Sequence, residues 1–125
     1  MKVLLDTHAL LWFLDDDRRL GVQARRTIES GAAILSDVSL LEISIKVSTR
    51  KLLVDSSLHV IVRELAFERI GIEDRFLARL EDLPLLHRDP FDRFLAAQAL
   101  TDNLHVLTAD PMFARYGVQV IDALS

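Results

Sequence analysis

Four acidic residues lie beside short apolar segments or near helix starts, where folding could bring their carboxylates together. They are Asp6, Glu42, Asp92 and Asp110. Asp6 and Asp110 each follow an apolar run that predicts a β-strand, whereas Glu42 and Asp92 each lie in the first turn of a predicted helix. Two carboxylates ~5 Å apart repel by about 3 kcal/mol at an effective dielectric of roughly 20. A cluster of them therefore predicts a bound cation.

The composition limits the identity of that cation. All donors in the acidic set are oxygen atoms, and the sequence contains no cysteine. Its histidines show no paired spacing of the kind that binds zinc. Because hard divalent cations prefer oxygen ligands, the set favours Mg²⁺ or Mn²⁺ over Zn²⁺. The absence of cysteine also excludes disulfides and cysteine nucleophiles.

Helix capping is an alternative explanation for the same residues. Ser39-Leu40-Leu41-Glu42 has the form of a capping box. Asp89-Pro90-Phe91-Asp92 combines an N-cap residue, a first-turn proline and an acidic third position. Asp6 and Asp110 could each cap a following helix. Separate caps need not converge, however, whereas a parallel sheet would bring all four carboxylates to one edge.

Glu42 is expected to be partly buried. Val38 precedes it by four residues and Ile45 follows it by three, so Glu42 shares a largely apolar stripe of its helix. A buried carboxylate without a partner is costly. Lys46, four residues later, is the one basic residue at helical spacing from it.

The elements that position these residues alternate between short apolar strands and amphipathic helices. Strands are predicted at 2–5, 32–35, 104–107 and 118–121, and helices at 9–14, 22–29, 39–49, 58–67, 73–80 and 90–100. This alternation predicts an α/β fold, a three-layer α/β/α sandwich with a central, mostly parallel sheet of four to five strands. Such sheets bind ligands beyond the carboxyl ends of their strands, where the four carboxylates should meet.

The composition describes an ordinary soluble protein with a single domain over 1–125. Half of the 125 residues are hydrophobic and 27% are charged. The longest apolar run, at 9–14, is far shorter than the ~20 residues of a membrane helix. Asp6 interrupts the N-terminal apolar stretch, which argues against a signal peptide. We therefore expect a cytoplasmic protein without membrane contact.

The net charge of −4 means that contact with a polyanion requires a local basic face.

Four stretches carry a resemblance to a known family. They are Leu4-Leu5-Asp6-Thr7-His8-Ala9-Leu10-Leu11-Trp12, Ser39-Leu40-Leu41-Glu42-Ile43-Ser44-Ile45-Lys46, the segment from Leu83-Pro84 through His87-Arg88-Asp89-Pro90-Phe91-Asp92-Arg93 to Ala97-Gln98-Ala99, and Leu107-Thr108-Ala109-Asp110 with Phe113 and Tyr116. Together they resemble PIN-domain ribonucleases, and more narrowly the VapC toxins of bacterial type II toxin–antitoxin pairs. The resemblance spans the whole chain in order, and the combination is more specific than any single motif.

The resemblance implies a PIN-like fold and a Mg²⁺-dependent endoribonuclease that is the toxin of a VapBC-like system. The four acidic residues match the family's acidic quartet, with Asp6 and Asp92 as direct Mg²⁺ ligands and Mn²⁺ able to substitute. Thr7 and Thr108 match small hydroxyl positions beside that pocket. In this chemistry the carboxylates hold the metal against the scissile phosphate, and water is the nucleophile.

The resemblance also implies partners, namely an RNA substrate, a second copy of the chain in a homodimer, and a VapB-like antitoxin whose basic tail would cover the acidic pocket. Arg88 and Arg93 flank the pocket and could contact RNA phosphates, or form ion pairs with the neighbouring aspartates. His8 could contact substrate, or be a partly buried packing residue. His87 matches the family motif and is equally explained as a hydrogen-bonding residue of its loop.

Two other functions remain open. One is a PIN nuclease of RNA processing that has no antitoxin, and a small upstream gene encoding a DNA-binding antitoxin would argue against it. The other is a phosphoacceptor receiver domain, which is similar in size and also has a Mg²⁺-binding acidic edge. A receiver domain requires paired acidic residues after its first strand and a lysine after a late strand. Here Leu5 precedes Asp6, and Thr108-Ala109-Asp110 follows the late strand without a lysine.

Overall fold

The computed structural model describes residues 1–54 and 57–125, which form one sheet between two helical layers. The strands are β1 (Val3–Leu5), β2 (Ala33–Ser36), β3 (Glu68–Ile70), β4 (His105–Thr108) and β5 (Val120–Asp122). The helices are α1 (Thr7–Leu14), α2 (Val22–Thr27), α3 (Asp37–Ser48), α4 (Leu58–Glu64), α5 (Asp74–Asp82), α6 (Pro90–Asp102) and α7 (Met112–Arg115). A wide helical turn at Ile28–Ala32 joins α2 to β2.

All five strands are parallel, in the order β3-β2-β1-β4-β5. The central strand is β1, where Leu4 is in register with Ile34 of β2 on one side and Val106 of β4 on the other. The chain runs outward from β1 to β3 and then crosses to the opposite side of β1 for β4 and β5. The strand order therefore reverses between β1 and β4, and open parallel sheets bind ligands at the carboxyl side of such a reversal.

Alternate residues of the strands face opposite helical layers. Val3 and Leu5 pack in a core with residues of α1 to α4. Leu4 and Val106 face the other way and pack with residues of α6 and α7. All four side chains are at most 1% exposed, and burying a side chain of this size stabilises the fold by about 1.5–3 kcal/mol. The predicted three-layer α/β/α sandwich is confirmed.

The edge strand β3 differs from the sequence prediction, which placed one helix over 58–67. Helix α4 ends at Glu64, and two residues later Ala66 adopts a left-handed conformation with φ of 55°, which a continuing helix does not allow. The chain then enters β3, where Glu68 and Arg69 are exposed. No apolar run marks this strand, so periodicity could not reveal it.

Within residues 1–54 and 57–125, no helix is both long enough and apolar enough to cross a membrane.

Candidate active site

Asp6 lies at the carboxyl end of β1 and is the N-cap residue of α1. Its Oδ1 accepts a hydrogen bond from the amide of Ala9 at 2.7 Å, and its Oδ2 accepts one from the hydroxyl of Thr108 at the end of β4. The Thr108 hydroxyl in turn accepts a hydrogen bond from the amide of Asp110 at 2.9 Å. Thr108 therefore connects the two carboxylate-bearing segments across the reversal of strand order. Asp6 itself is only 5% exposed.

Glu42 lies in the second turn of α3 rather than in the first turn of a helix that begins near Ser39. Helix α3 begins at Asp37, and its N-cap is Ser36. The predicted capping box at 39–42 is therefore wrong, because Ser39 is already inside the helix and is buried there.

Both carboxylate oxygens of Glu42 are hydrogen-bonded. Oε1 accepts from the hydroxyl of Thr7 at 2.7 Å, and Oε2 accepts from Nζ of Lys46 at 2.8 Å. Glu42 is 3% exposed, so the expected burial is confirmed. Lys46 supplies the opposite charge that a buried carboxylate requires. Its hydrogen bond to Glu42 also raises the pKa of Lys46.

Asp92 lies in the first turn of α6, as predicted. Asp89 is the N-cap of this helix, since its Oδ1 accepts from the amides of Phe91 and Asp92 at 2.8 and 3.1 Å. Pro90 occupies the first turn, where its missing amide hydrogen costs nothing. The cap thus orients the turn that carries Asp92, whose Oδ2 lies 3.1 Å from Nε2 of His87.

The sequence left His87 open between a residue of the family motif and a hydrogen-bonding residue of its loop, and it makes a hydrogen bond to Asp92. One ligand atom each from His87, Asp92 and Asp110 lie within 4.8 Å of one another. Asp6 and Glu42 are not members of that group, but the charge of each raises the pKa of Asp92, so both act on it electrostatically. The available signal was the position of His87 just before the cap of α6. A loop presents it, however, so helical or strand periodicity could not predict its direction.

Burial and mutual repulsion raise the pKa of two of these carboxyls. For Asp6 burial is the largest cause, and the hydrogen bonds from Thr108 and Ala9 oppose it. For Asp92 burial raises the pKa from 3.8 to about 6, and the charge of Asp89 is the next contribution. The ionised forms of Asp6 and Asp92 are therefore destabilised in the metal-free protein.

The charges of this edge do not balance. Among the described residues, Lys46 forms an ion pair with Glu42 and His87 is hydrogen-bonded to Asp92, while Asp6, Asp89 and Asp110 form no ion pair. A divalent cation would offset this excess of negative charge, and carboxylate oxygens are its preferred ligands. Asp6, Asp92 and Asp110 are the residues that could hold it, so the residues present fit a divalent metal ion.

The three residues predicted as RNA contacts lie in different environments. Arg88 is exposed in the loop before α6. Arg93 is partly buried, and its Nη2 donates to the carbonyl of Leu83 at 3.2 Å. Neither arginine pairs with an aspartate among the residues that the structure describes. His8 is exposed beside Trp12, with ring centroids 6.5 Å apart, so its interpretation as a partly buried packing residue is wrong.

Solved structures share this fold. The chain aligns with VapBC2 from Rickettsia felis, solved bound to a DNA fragment from its promoter, with a TM-score of 0.74 and 15% identity over 97% of this chain and 98% of that one. FitAcB from Neisseria gonorrhoeae aligns with a TM-score of 0.71 and 19% identity over 97% of both chains. A toxin–antitoxin complex from Klebsiella pneumoniae gives a TM-score of 0.70 and 16% identity over 98% of both chains. No curated protein sequence matches the chain.

A family comparison covers nearly the whole chain. The sequence profile of the PIN domain matches residues 3–119. The matched region includes the strands on both sides of the reversal in strand order and all four acidic residues of the edge. The chain therefore belongs to the PIN domain family, whose members are nucleases.

Proposed function

We propose that the protein is a metal-dependent endoribonuclease that hydrolyses RNA phosphodiester bonds at this acidic edge. The observation that carries the proposal is the arrangement of Asp6, Glu42, Asp92 and Asp110 around the reversal in strand order, with too few basic partners to neutralise them. Membership of a nuclease family supports it. Mg²⁺ is the cation that the family resemblance implies, with Mn²⁺ able to substitute.

The chain's own residues prepare the site in three ways. Thr108 fixes the orientation of the Asp6 carboxylate, and Lys46 holds Glu42 in place. Helices α1, α3 and α6 have their first turns beside the acidic residues, and the partial positive charge of a helix N-terminus favours a phosphate group. When bound by the carboxylates, a divalent cation would supply charge stabilisation for the scissile phosphate and an activated water.

RNA cleavage by the purified protein tests this proposal. Total cellular RNA is incubated with the wild type, with Asp6→Asn and with Asp82→Asn, a matched change of an exposed aspartate at the end of α5. Discrete fragments are expected from the wild type and Asp82→Asn in Mg²⁺ or Mn²⁺, and none in EDTA. Folded Asp6→Asn should lose cleavage by about two orders of magnitude or more. Equal cleavage by folded Asp6→Asn, or equal cleavage in EDTA, contradicts the proposal.

The proposed setting is a type II toxin–antitoxin pair in which this chain is the toxin, forms a homodimer and binds a VapB-like antitoxin. A groove of about 370 Å³ supports this, because its lining combines apolar side chains, among them Trp12, Leu52 and Leu58, with Asp15 and Asp17. His8, two residues after Asp6, also lines this groove. Leu53, also in the groove, is 90% exposed. A peptide with apolar side chains and a basic end would fit such a groove and reach the carboxylates. One structure with the same fold is a toxin–antitoxin complex.

Co-expression with the product of a small gene directly upstream tests the pairing. The expected result is a stable complex in which RNA cleavage is suppressed. Leu53→Asp should weaken the complex by about tenfold or more, because it places a charge in an apolar groove, while free Leu53→Asp should cleave RNA as the wild type does. Absence of any such gene, together with tolerance of the free protein by its host, would favour a PIN nuclease of RNA processing.

A further inference from the structure

His87 contributes a nitrogen donor to an otherwise all-oxygen group of ligand atoms. Its Nε2 lies 3.1 Å from Oδ2 of Asp92. One ligand atom each from His87, Asp92 and Asp110 lie within 4.8 Å of one another. Adjacent ligands in an octahedral complex with bonds of about 2.1 Å lie about 3.0 Å apart, and opposite ligands about 4.2 Å apart. The separations among the three atoms are therefore compatible with one small cation bound by all three side chains after small movements of those side chains.

The loop that carries His87 is fixed at both ends. At its start, the carbonyl of Leu83 accepts from Nη2 of Arg93, and the carbonyl of Pro84 accepts from the amide of Leu86 at 3.0 Å. At its end, Asp89 caps α6 through two backbone amides. The imidazole is thus presented to Asp92 by an ordered segment, and its side chain is 28% exposed.

A nitrogen donor changes which metal the edge prefers. Mg²⁺ binds oxygen ligands and releases its water molecules reluctantly. Imidazole suits first-row transition metals, and Mn²⁺ accepts both carboxylate and imidazole ligands. A site made of carboxylates alone would discriminate little between Mg²⁺ and Mn²⁺, whereas a site with His87 would bind Mn²⁺ more tightly.

We propose that His87 is a metal ligand and that, with Asp92 and Asp110, it forms a mixed nitrogen and oxygen site that selects a first-row transition-metal dication over Mg²⁺. This inference rests on the proposed function, since it concerns the same acidic edge. It goes further by naming a ligand and a preference that metal-dependent cleavage does not by itself require.

Pulsed electron paramagnetic resonance of the full chain loaded with Mn²⁺ tests the ligand directly. A nitrogen hyperfine coupling is expected in the wild type. His87→Gln should remove it, because glutamine can keep a hydrogen bond to Asp92 but has no imidazole nitrogen. The matched control is His59→Gln, at an exposed histidine that contacts Ser44 instead, and it should keep the coupling.

Titrations of Mn²⁺ and Mg²⁺ into the same three proteins test the preference. His87→Gln should lower the Mn²⁺ affinity on the order of tenfold or more and the Mg²⁺ affinity far less, so that the ratio of the two affinities falls. Melting temperatures in EDTA confirm that each variant is folded. A fall in both affinities by the same factor overturns the preference.

The outcomes separate this inference from the proposed function. Mn²⁺ binding that requires Asp92 but shows no nitrogen coupling overturns the role of His87 and leaves the metal-dependent nuclease standing. A coupling that persists in His87→Gln also overturns it, since another histidine must then be the ligand. Failure of the wild type to bind Mn²⁺ at this edge overturns both.

Discussion

Three aspartates of the acidic edge accept hydrogen bonds from backbone amides at the starts of helices. Asp6 caps α1, Asp89 caps α6, and Oδ1 of Asp110 accepts from the amide of Met112 at 2.9 Å. Sequence reasoning treated capping and metal binding as alternatives, but the geometry accommodates both. A helix that follows a parallel strand begins at the carboxyl edge of the sheet, so the residue that caps it also lies where ligands bind.

Lys46→Met should destabilise the protein because Glu42 would remain buried without its opposite charge. Removing one partner of a fully buried pair costs about 3–5 kcal/mol. Since the side chain of Lys46 is 37% exposed and water screens it, we expect a smaller loss of about 1–3 kcal/mol in the free energy of unfolding. Urea denaturation in EDTA measures this loss.

The matched control for Lys46 is the double variant Lys46→Met with Glu42→Gln. With the buried charge removed, most of the lost stability should return, and the double-mutant cycle then gives the coupling between the two side chains. If Lys46→Met destabilises the wild type and the Glu42→Gln variant equally, the ion pair contributes nothing to the free energy of unfolding.

Asp92→Asn should stabilise the metal-free protein at pH 7.5. The raised pKa of Asp92, about 6 against 3.8, means that the folded state binds this proton more tightly than the unfolded state does. The stabilisation that the protonated carboxyl of Asp92 gives the folded state is therefore fully present below about pH 4 and is lost as the pH rises to about 6. The loss amounts to at most about 3 kcal/mol.

Unfolding free energies in EDTA between pH 4 and pH 8 test the Asp92 prediction. The variant should show a weaker decline with rising pH than the wild type, and saturating Mn²⁺ should reverse the ranking at pH 7.5. If the unfolding free energies of the two proteins change with pH in parallel, then ionisation of the buried Asp92 does not destabilise the folded state.

At the scale of helices and strands, the sequence predicted the buried strands most closely and missed one edge strand and one short helix. The strands β1, β2 and β4 begin and end within one residue of the predicted runs at 2–5, 32–35 and 104–107, because their side chains are buried on both faces of the sheet. β3 lies at an exposed edge and has no apolar run. α7 has only four residues, too few for a helical period to show.

The positions of Asp6 and Asp110 could be predicted from the sequence for a related reason. The positions of Glu42 and His87 were harder to predict. Asp6 and Asp110 follow buried strands, so the predicted sheet placed them at one edge. The position of Glu42 in its helix was misjudged by a start two residues too late, because Ser36 and Ser39 are both good N-cap residues by type. His87 depends on the path of a loop, which residue type and spacing do not specify.

A pair of substitutions at Asp89 separates helix capping from charge. Asp89→Ala removes the cap of α6 and should lower the melting temperature by roughly 3–5 °C, corresponding to about 1 kcal/mol. Asp89→Asn keeps a capping oxygen and removes the charge that raises the pKa of Asp92, so its melting temperature in EDTA should equal or exceed that of the wild type. Equal losses in both variants would show that the charge, not the cap, stabilises this turn.

At the scale of the whole molecule, the topology explains why a protein with a net charge of −4 could act on a polyanion. Parallel strands direct their carboxyl ends, and the helices that follow them, to one edge of the sheet. Asp6, Glu42, Asp92 and Asp110 lie at this edge, so their local excess of negative charge is available for a cation.

The most direct test of this account is the position of Mn²⁺ in a crystal grown with the metal, located by its anomalous scattering. The account predicts a peak at the acidic edge, within bonding distance of carboxylate oxygens of Asp92 and of Asp6 or Asp110, and no peak there in Asp92→Asn. A crystal at saturating Mn²⁺ with no peak at this edge, or with a peak only elsewhere in the molecule, would contradict the assignment of the four carboxylates to one metal-dependent site.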